Sequence, residues 1–568
     1  MTSPETDPQL YFSDDGNPRS ARFDDIYYSL QDGLSESRAV FLSGCQMPDI
    51  WVGRRHFTVG ELGFGTGLNI AALIQLWAAH RPENGHLHLF SVEGFLMPRA
   101  AAAAALSAWP EIAPFAEVII AQWPPQRRGF HIMRFPQWGV TLTLALMDVR
   151  NALSQWQGKA DAWFLDGFSP ACNPDMWADD VLLAVADKTA PGARLATFTV
   201  AGFVRRGLQA AGFAVSKQPG FGRKRERLEA VFPGESEPRD EPQRIAVVGG
   251  GIAGASVIAA LRDYGYSADL VDPARGSGAS GNPAGLVTPR LDAGGGAISD
   301  LFADAFYYAT DRLWQDMPEA ILSEGVLQRP ATDRDAARFT KIAEQAAFDP
   351  QDMRVEDTGL RMPRALAIDP RAVVQTFLAD VTVKEAVVDD YDLVFMTCGE
   401  GVFDLEVARS LDLRPVRGQI EVANAQPRDP QAQAWGGYYV PTPEGFVFGA
   451  THVRGDRGTD VREADRTHNL DTLRAVLPDE AALAAAETSS RASIRVTTRD
   501  HLPVLGPLME SMTGSLSADS YVLTGLGARG FCLAPLLGRA LVAQALSLPS
   551  PLSAASARLV RVDRFQVG

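Results

Sequence analysis

The sequence is poor in cysteine and in long apolar runs. Four cysteines occur among 568 residues, and their spacing fits neither a paired metal motif nor a disulfide framework. No apolar run reaches the length of a membrane span, and the opening segment MTSPETDPQL lacks the basic and apolar parts of an export signal. We therefore expect a cytoplasmic protein with reduced thiols, no metal site and no membrane segment.

Positive charge is also in short supply. The chain has 53 Lys and Arg against 69 Asp and Glu, a formal net charge of −16. This charge opposes a polyanion globally, so nucleic acid would have to bind through local basic patches. The apolar fraction of 46% is that of a globular protein, and 568 residues exceed what one hydrophobic core usually supports. At least two domains are expected.

The segment FPGESEPRDEPQ, residues 232–243, is rich in proline and acidic residues and predicts a linker between domains 1–231 and 244–568. Short apolar runs alternate with helical patterns on both sides of it, which favours parallel α/β sheets. The upstream runs are HFTVGELGFG, HLHLFSVEGF, TLTLALMDV, DAWFLDGF and ARLATFTV, and the downstream runs are RIAVVGG, SADLVDP and DLVFMTCG. We expect an inserted second subdomain at roughly residues 300–370 and 415–490.

A first glycine loop, VGELGFGTGLN at residues 59–69, follows an apolar strand and precedes a helical run. Alternate glycines let a nucleoside and an amino-acid group press against the backbone. The loop residues that we expect to face such a cofactor are Glu61, Gly63, Gly65 and Gly67.

Three acidic residues each lie at or just after the end of a predicted strand, and these ends meet at one edge of a parallel sheet. Glu93 is placed to accept hydrogen bonds from ribose hydroxyls, and Asp148 lies within reach of an adenine. Asp166 ends a further strand in FLDGFSP. The alternative is that each carboxylate caps a following helix.

These blocks resemble class I S-adenosylmethionine methyltransferases. Together with FDDIYYS, SESRAVFL and DAWFLDGFSPACNPDMW they resemble, over roughly residues 8–232, the methyltransferase domain of bacterial bifunctional 5-methylaminomethyl-2-thiouridine biosynthesis proteins. The resemblance implies S-adenosyl-L-methionine as cofactor and the amine of 5-aminomethyl-2-thiouridine, at the wobble position of tRNA, as methyl acceptor.

The implied acceptor amine must lose a proton to attack a methyl sulfonium, so a carboxylate beside it is expected. Asp166 is our candidate for this role. Phe168 is a candidate to stack on the base, with a core position as the alternative. This chain has Cys172 where the family often has a basic residue, which puts a phosphate contact there in doubt.

Seven basic residues and one acidic residue lie between positions 205 and 227. Arg205, Arg206 and Lys224 are candidates to hold phosphates of a tRNA anticodon stem. A solvated helix face is the alternative interpretation of this run.

A second glycine loop occurs at Gly249, Gly251 and Gly254, between the strand RIAVVGG and the helix ASVIAALRDYG. Asp272 follows 23 residues after Gly249, at the distance typical of a ribose ligand. In this context the glycines predict a dinucleotide whose pyrophosphate binds at the helix N-terminus.

Two further segments favour a flavin over a nicotinamide. Residues 276–290, GSGASGNPAGLVTPR, would let backbone approach a flat ring, and Gly525, Gly527 and Gly530 precede an apolar helix whose start can direct its positive end at a flavin. With RPVRGQI and RVTTRDHLPVLGP, these blocks resemble the D-amino-acid oxidase and glycine oxidase superfamily over roughly residues 243–565. They also resemble the oxidoreductase half of the same bifunctional family.

The resemblance implies FAD and a fold class: a Rossmann-like class I methyltransferase followed by a D-amino-acid-oxidase-type FAD-binding Rossmann domain with an inserted α+β substrate subdomain. It also implies oxidative removal of the carboxymethyl group of 5-carboxymethylaminomethyl-2-thiouridine before methylation. A cationic clamp would hold the substrate carboxylate, with Arg499, Arg529 and Arg495 as candidates in that order. A structural ion pair is the alternative for each arginine.

Two other functions are compatible with these motifs. One is a glycine or sarcosine oxidase fused to a small-molecule methyltransferase, and the other is a tRNA-binding module with a structural FAD. We expect a monomer with tRNA as its partner.

Overall fold

The computed structural model describes residues 10–12, 18–27, 33–222, 225–236, 241–272, 278–386, 391–405, 407–508 and 519–565. The chain divides into two compact units. The N-terminal unit comprises Met1–Asp240, Asp263–Gly265 and Leu548–Ala554. The C-terminal unit comprises Glu241–Arg262, Tyr266–Ser547 and Ala555–Gly568. Residues 237–240 of the predicted linker lie outside the described residues.

The N-terminal unit alternates strands with helices. Its strands are β1 (Leu10–Phe12), β2 (Pro18–Ser20), β3 (Asp25–Ile26), β4 (His56–Leu62), β5 (His86–Glu93), β6 (Gly129–Phe135), β7 (Val140–Leu146), β8 (Ala160–Leu165), β9 (Thr189–Thr197), β10 (Ala214–Pro219) and β11 (Glu226–Val231). Its α-helices are α1 (Gly33–Ser37), α2 (Leu68–His80), α3 (Arg99–Leu106), α4 (Ala113–Ala121), α5 (Val149–Gln155), α6 (Asp179–Asp187) and α7 (Gly202–Ala210).

Eight of the described strands form one sheet in the order β10-β11-β9-β8-β4-β5-β7-β6. The predicted parallel arrangement is confirmed for the central strands from β9 to β7. The edge strands depart from it, because β6 joins β7 through the short turn Pro136–Trp138, and a connection of that length allows only antiparallel pairing. The strand order reverses between β4 and β8, so a ligand crevice is expected at their carboxyl ends.

The central strands are buried on both faces, as their continuous apolar runs predict. In β8, Trp163 packs into the apolar layer on one face and Phe164 into the layer on the other. The five strands predicted upstream of the linker are confirmed as β4, β5, β7, β8 and β9.

The described residues of the C-terminal unit form two sheets. Its strands are β12 (Ile245–Val248), β13 (Asp269–Val271), β14 (Gly285–Val287), β15 (Ile321–Gln328), β16 (Arg354–Glu356), β17 (Gly359–Ile368), β18 (Thr382–Lys384), β19 (Leu393–Met396), β20 (Arg414–Ala423), β21 (Ala432–Ala434), β22 (Tyr438–Thr442), β23 (Gly445–Gly449), β24 (Val453–Arg454), β25 (Thr488–Thr497), β26 (Val504–Pro507) and β27 (Asp519–Thr524). Its α-helices are α8 (Ile252–Asp263), α9 (Gly296–Asp316), α10 (Asp333–Ala343), α11 (Pro370–Phe377), α12 (Val407–Ser410), α13 (Glu463–Val476), α14 (Pro478–Ala484), α15 (Gly530–Ala545) and α16 (Ala554–Val560).

The smaller sheet has the order β18-β13-β12-β19-β27-β26 and is parallel except at β26. The three strands predicted downstream of the linker are confirmed as β12, β13 and β19. The larger sheet takes its strands from two stretches, 285–368 and 414–497, and is mostly antiparallel. Apolar side chains of α9, β17 and α15, among them Phe306, Met362 and Ala534, share one core.

Among the described helices, none alone combines the length and apolarity of a membrane span. The bent pair Arg99–Leu106 and Pro110–Ala121, with an angle of 114°, reaches both together.

Candidate active sites

A cavity of about 1050 Å³ lies at the carboxyl ends of the central strands of the N-terminal unit. The glycine loop after β4 forms one wall of it. Gly63 has a φ of +100°, and a Cβ there would lie 2.0 Å from the carbonyl oxygen of Asp166, so only glycine fits. Gly65 lines the cavity, and Gly67 is the N-cap residue of α2. At Gly63 and Gly65 the loop therefore brings backbone to the cavity surface.

Glu93 lines this cavity, and two backbone groups fix its carboxylate. The amides of Gly65 and Phe95 donate to its two oxygens at 2.9 and 2.8 Å. Burial raises the pKa of Glu93 above its ordinary value. A carboxylate has about four acceptor sites, so acceptor capacity remains for a hydroxyl group.

Asp148 also lines the cavity, and its carboxylate accepts a hydrogen bond from the Asn151 amide at 3.0 Å as the N-cap of α5. The capping alternative thus holds for Asp148. Glu93 and Asp166 are the N-cap residues of none of the described helices.

Asp166 lines the cavity beside Asn69, whose Nδ2 donates to its Oδ2 at 2.7 Å. Phe168 is half-buried: it lines the cavity and stacks on Phe23 with ring centroids 4.8 Å apart. Tyr27 meets the same ring edge-on at 5.1 Å. The sequence motif FDDIYYS contained these two aromatic residues, but no spacing rule connected them with Phe168.

Glu61 lies beneath the cavity rather than among the residues that line it, and it is 1% exposed. Ser91 Oγ donates to its Oε2 at 2.5 Å, and Asn69 Nδ2 donates to its Oε1 at 3.2 Å. Burial raises its pKa to about 8, and the nearby carboxylates of Asp166 and Glu93 add to that increase. Sequence reasoning missed Asn69 and Ser91.

Arg205 and Arg206 lie on α7, the first half-buried and the second exposed, and neither lines the cavity. Lys224 lies outside the described residues.

A second cavity, of about 860 Å³, lies at the carboxyl ends of β12, β13, β19 and β27 in the C-terminal unit. Gly249 and Gly251 line it. Gly249 has a φ of +99°, and a Cβ there would lie 2.6 Å from the Thr397 oxygen. Gly254 faces the turn instead, where a Cβ would lie 1.8 Å from the Gly249 oxygen. These short distances show that the start of α8 lies directly against the turn that follows β12.

Asp272 lines this second cavity, and its Oδ2 accepts a hydrogen bond from the Gly250 amide at 2.6 Å. Ser280, which sequence reasoning missed, accepts one from the Ile252 amide at 3.0 Å. On the opposite side, Gly525, Gly527 and Gly530 all line the cavity, and Gly530 begins α15 as predicted.

The structure separates the three candidate arginines. Arg495 and Arg529 line the cavity, whereas Arg499 does not; its side chain is 68% exposed and lies 3.6 Å from Asp412. Arg529 Nη1 donates to the carbonyl oxygen of Thr288 at 3.0 Å and to its hydroxyl oxygen at 2.9 Å. Burial lowers the pKa of both Arg495 and Arg529.

Gly418, in the RPVRGQI motif, makes room for Arg495. A Cβ on Gly418 would lie 1.7 Å from Arg495 Nη2, so the guanidinium passes directly over this glycine of the neighbouring strand. Tyr438 and His452 also line the cavity, and burial, Arg495, Arg454 and His501 together lower the pKa of His452. The sequence analysis assigned no role to Gly418, Tyr438 or His452.

Comparison with known proteins agrees with this geometry. The family of S-adenosyl-L-methionine-dependent methyltransferases matches residues 110–233, and the family of FAD dependent oxidoreductases matches residues 244–394 and 379–544. A tRNA 5-methylaminomethyl-2-thiouridine biosynthesis bifunctional protein MnmC from Caulobacter sp. (strain K31) is 46% identical over 602 residues, covering 100% of this chain and 98% of the relative. The protein of the same name from Maricaulis maris (strain MCS10) is 40% identical, covering 98% and 96%.

Fold and cavities together define a class: an S-adenosyl-L-methionine-dependent methyltransferase joined in one chain to an FAD-dependent oxidoreductase. The predicted fold class and the two predicted cofactors are confirmed. The chain belongs to the MnmC family of tRNA 5-methylaminomethyl-2-thiouridine biosynthesis bifunctional proteins.

Proposed function

We propose that this chain modifies the wobble uridine of tRNA in two consecutive steps. The C-terminal unit converts 5-carboxymethylaminomethyl-2-thiouridine to 5-aminomethyl-2-thiouridine, and the N-terminal unit methylates the new amine to 5-methylaminomethyl-2-thiouridine. The observation that carries the proposal is the full-length match to relatives named for the biosynthesis of this product, in a chain with both cavities.

The residues of the C-terminal cavity fit a flavin dinucleotide. Backbone of the Gly249 turn and the start of α8 can receive a pyrophosphate, and Asp272 lies beside the turn to meet a ribose. When bound, FAD would accept a hydride from the substrate methylene as the nitrogen lone pair forms a carbon–nitrogen double bond. Addition of water to that bond would release glyoxylate and leave the primary amine.

Arg495 and Arg529 are our candidates to hold the substrate carboxylate. Within the described part of the chain, neither guanidinium has an Asp or Glu partner at ion-pair distance, and both are desolvated. A buried cation without a counter-ion is costly, and a bound carboxylate would offset that cost. This placement favours both over Arg499.

The N-terminal cavity fits a cationic methyl donor. We assign Glu93 to the ribose hydroxyls and Asp148 to the adenine, because both line the cavity, and the carboxylates around it would offset the positive charge of a sulfonium. Asp166 accepts the proton of the attacking amine. Phe168 offers an aromatic face to the uracil ring.

Phosphates of the tRNA would bind outside the cavities. Arg205, Arg206 and Lys224 remain our candidates on the N-terminal unit. Because contacts to phosphates release counterions, we expect tRNA binding to weaken as the salt concentration rises.

Nucleoside mass spectrometry of tRNA bearing the carboxymethylaminomethyl group tests the proposal. Without methyl donor the aminomethyl nucleoside should accumulate, and with it the methylaminomethyl nucleoside should form. Asp166→Ala should slow the methylation step by about 10²- to 10⁴-fold and leave the oxidative step unchanged. Normal methylaminomethyl levels in that variant would refute the role of Asp166. Flavin reduction by free glycine as fast as by modified tRNA would favour a small-molecule oxidase instead.

A further inference from the structure

One amide side chain joins two carboxyl groups at the floor of the N-terminal cavity. Asn69, in the first turn of α2, uses both hydrogens of Nδ2: one bond goes to Asp166 Oδ2 at 2.7 Å and the other to Glu61 Oε1 at 3.2 Å. Asn69 is 6% exposed yet lines the cavity beside Asp166. The amide therefore faces the reacting groups from below.

The far end of this network is anchored in the sheet. Glu61 lies in β4 and Ser91 in β5, and the Ser91 hydroxyl holds the second Glu61 oxygen at 2.5 Å. The Asp166 amide donates to the Leu62 oxygen at 3.0 Å, which fixes the backbone at the near end. Asn69 thus connects a carboxylate on a loop to two central strands.

The charge state of Glu61 suits this arrangement. Because burial raises its pKa to about 8, Glu61 keeps its proton to higher pH than an ordinary carboxyl group, which reduces the negative charge around the amide. The hydrogen bond to Asp166 is the shorter of the two that Asn69 Nδ2 donates.

We propose that Asn69 is a positioning residue for methyl transfer: its hydrogen bond to Oδ2 fixes the orientation of the Asp166 carboxylate at the cavity. The inference rests on the proposed function, in which Asp166 takes the proton. In the step, the amine lone pair forms a bond to the methyl carbon, the carbon–sulfur bond breaks with its electrons on sulfur, and a proton passes from nitrogen to the Asp166 carboxylate.

The full-length protein tests this with tRNA that it has first converted to the aminomethyl form without methyl donor. In Asn69→Ala, the kcat of methylation should fall about 10- to 100-fold, because a misplaced base loses its alignment. The KM for S-adenosyl-L-methionine should change less than about threefold. The acidic limb of the pH–rate profile should move to higher pH, because the charged form of Asp166 has lost a donor.

Two further variants guard against trivial outcomes. Asn69→Asp has nearly the same shape, so it preserves packing if Asn69→Ala does not fold, and it should lose at least as much activity at neutral pH. Gln75→Ala, on the same helix, removes an amide that bonds to Arg38 and Glu111 away from the cavity, and it should keep the wild-type kcat.

Losses confined to thermal stability or to the KM for the methyl donor in both Asn69 variants would overturn the inference. So would a wild-type pH profile. Asp166→Ala separates the two levels of the argument: if it methylates normally, the role proposed for Asp166 fails, whereas if it is inactive while the Asn69 variants are normal, only the positioning role fails.

Discussion

The two cavities differ in charge. Carboxylates, among them Glu93, Asp148 and Asp166, outnumber the arginines around the N-terminal cavity, whereas the C-terminal cavity has the half-buried Arg495 and Arg529 beside two acidic residues, Asp272 and Glu400. Burial raises the pKa of acids in the first and lowers the pKa of arginines in the second. The ligand that we propose for each site would offset part of this desolvation cost: a sulfonium in the N-terminal cavity and a carboxylate in the C-terminal cavity. The net charge of −16 for the whole chain does not reveal this difference between the two cavities.

The largest effect is expected from a negative charge in the C-terminal cavity. Gly251→Asp should abolish FAD binding and the oxidative step, because the new carboxylate repels a pyrophosphate at the start of α8. The flavin absorbance of the purified variant measures this. Gly251→Ala is the matched control: a Cβ there meets only the Ser280 hydroxyl, at 3.3 Å, so flavin should be retained. A yellow Gly251→Asp protein would contradict the placement of the pyrophosphate.

Gly418→Ala should leave FAD bound but displace the cation of the same cavity. The added methyl group would lie 1.7 Å from Arg495 Nη2, so the guanidinium must move. We expect kcat/KM for carboxymethylaminomethyl tRNA to fall about 100-fold. Flavin reduction under anaerobic conditions measures it. In an Arg495→Ala background the glycine substitution should have little further effect, and a full additional loss would show that Gly418 acts elsewhere.

The acidic cavity should respond to pH through Glu61. Its pKa of about 8 means that it ionises as pH rises through that value, and the ionised form favours a cationic ligand. Affinity for S-adenosyl-L-methionine should therefore rise, on the order of tenfold, from about pH 6.5 to about pH 8.5. Calorimetry on Glu61→Gln should show a much flatter dependence; an equal slope in the variant would assign the effect to another group.

The raised pKa of Glu61 also makes the stability of the fold depend on pH. The folded state holds a proton that the unfolded state loses near pH 4.5, so the contribution of Glu61 to the free energy of unfolding falls as pH rises from 4.5 to about 8.

The smallest effect is expected for Arg499→Ala. The side chain is exposed, pairs loosely with Asp412 and does not line the C-terminal cavity, so kcat/KM for oxidation should change less than about twofold. Steady-state kinetics beside Arg495→Ala provide the contrast. A loss as large as that of Arg495→Ala would return Arg499 to the substrate clamp.

Sequence patterns predicted the glycine loops, the strands that carry them and the carboxylates at the strand ends, because these features depend on local spacing. They did not rank Arg495 above Arg499. The two residues share the motif RVTTRD, but Arg495 lies in β25 opposite Val416, while Arg499 lies beyond the end of the strand. Which side chain crosses a neighbouring strand depends on pairing register, and one sequence does not reveal that register.

Asn69 illustrates a second limit. Its position in the glycine loop motif indicated a helix start, but its partners lie 8 and 97 positions away along the chain. A bridging amide becomes visible only when the sheet brings Glu61 and Asp166 together.

The close approach of Gly63 to the Asp166 carbonyl oxygen, 2.0 Å from where a Cβ would stand, has a consequence for engineering. Enlarging the loop at this glycine to accept bulkier sulfonium analogues would push on the peptide that carries Asp166, our proposed proton acceptor. Alternative alkyl donors would therefore have to be accommodated elsewhere on the cavity wall.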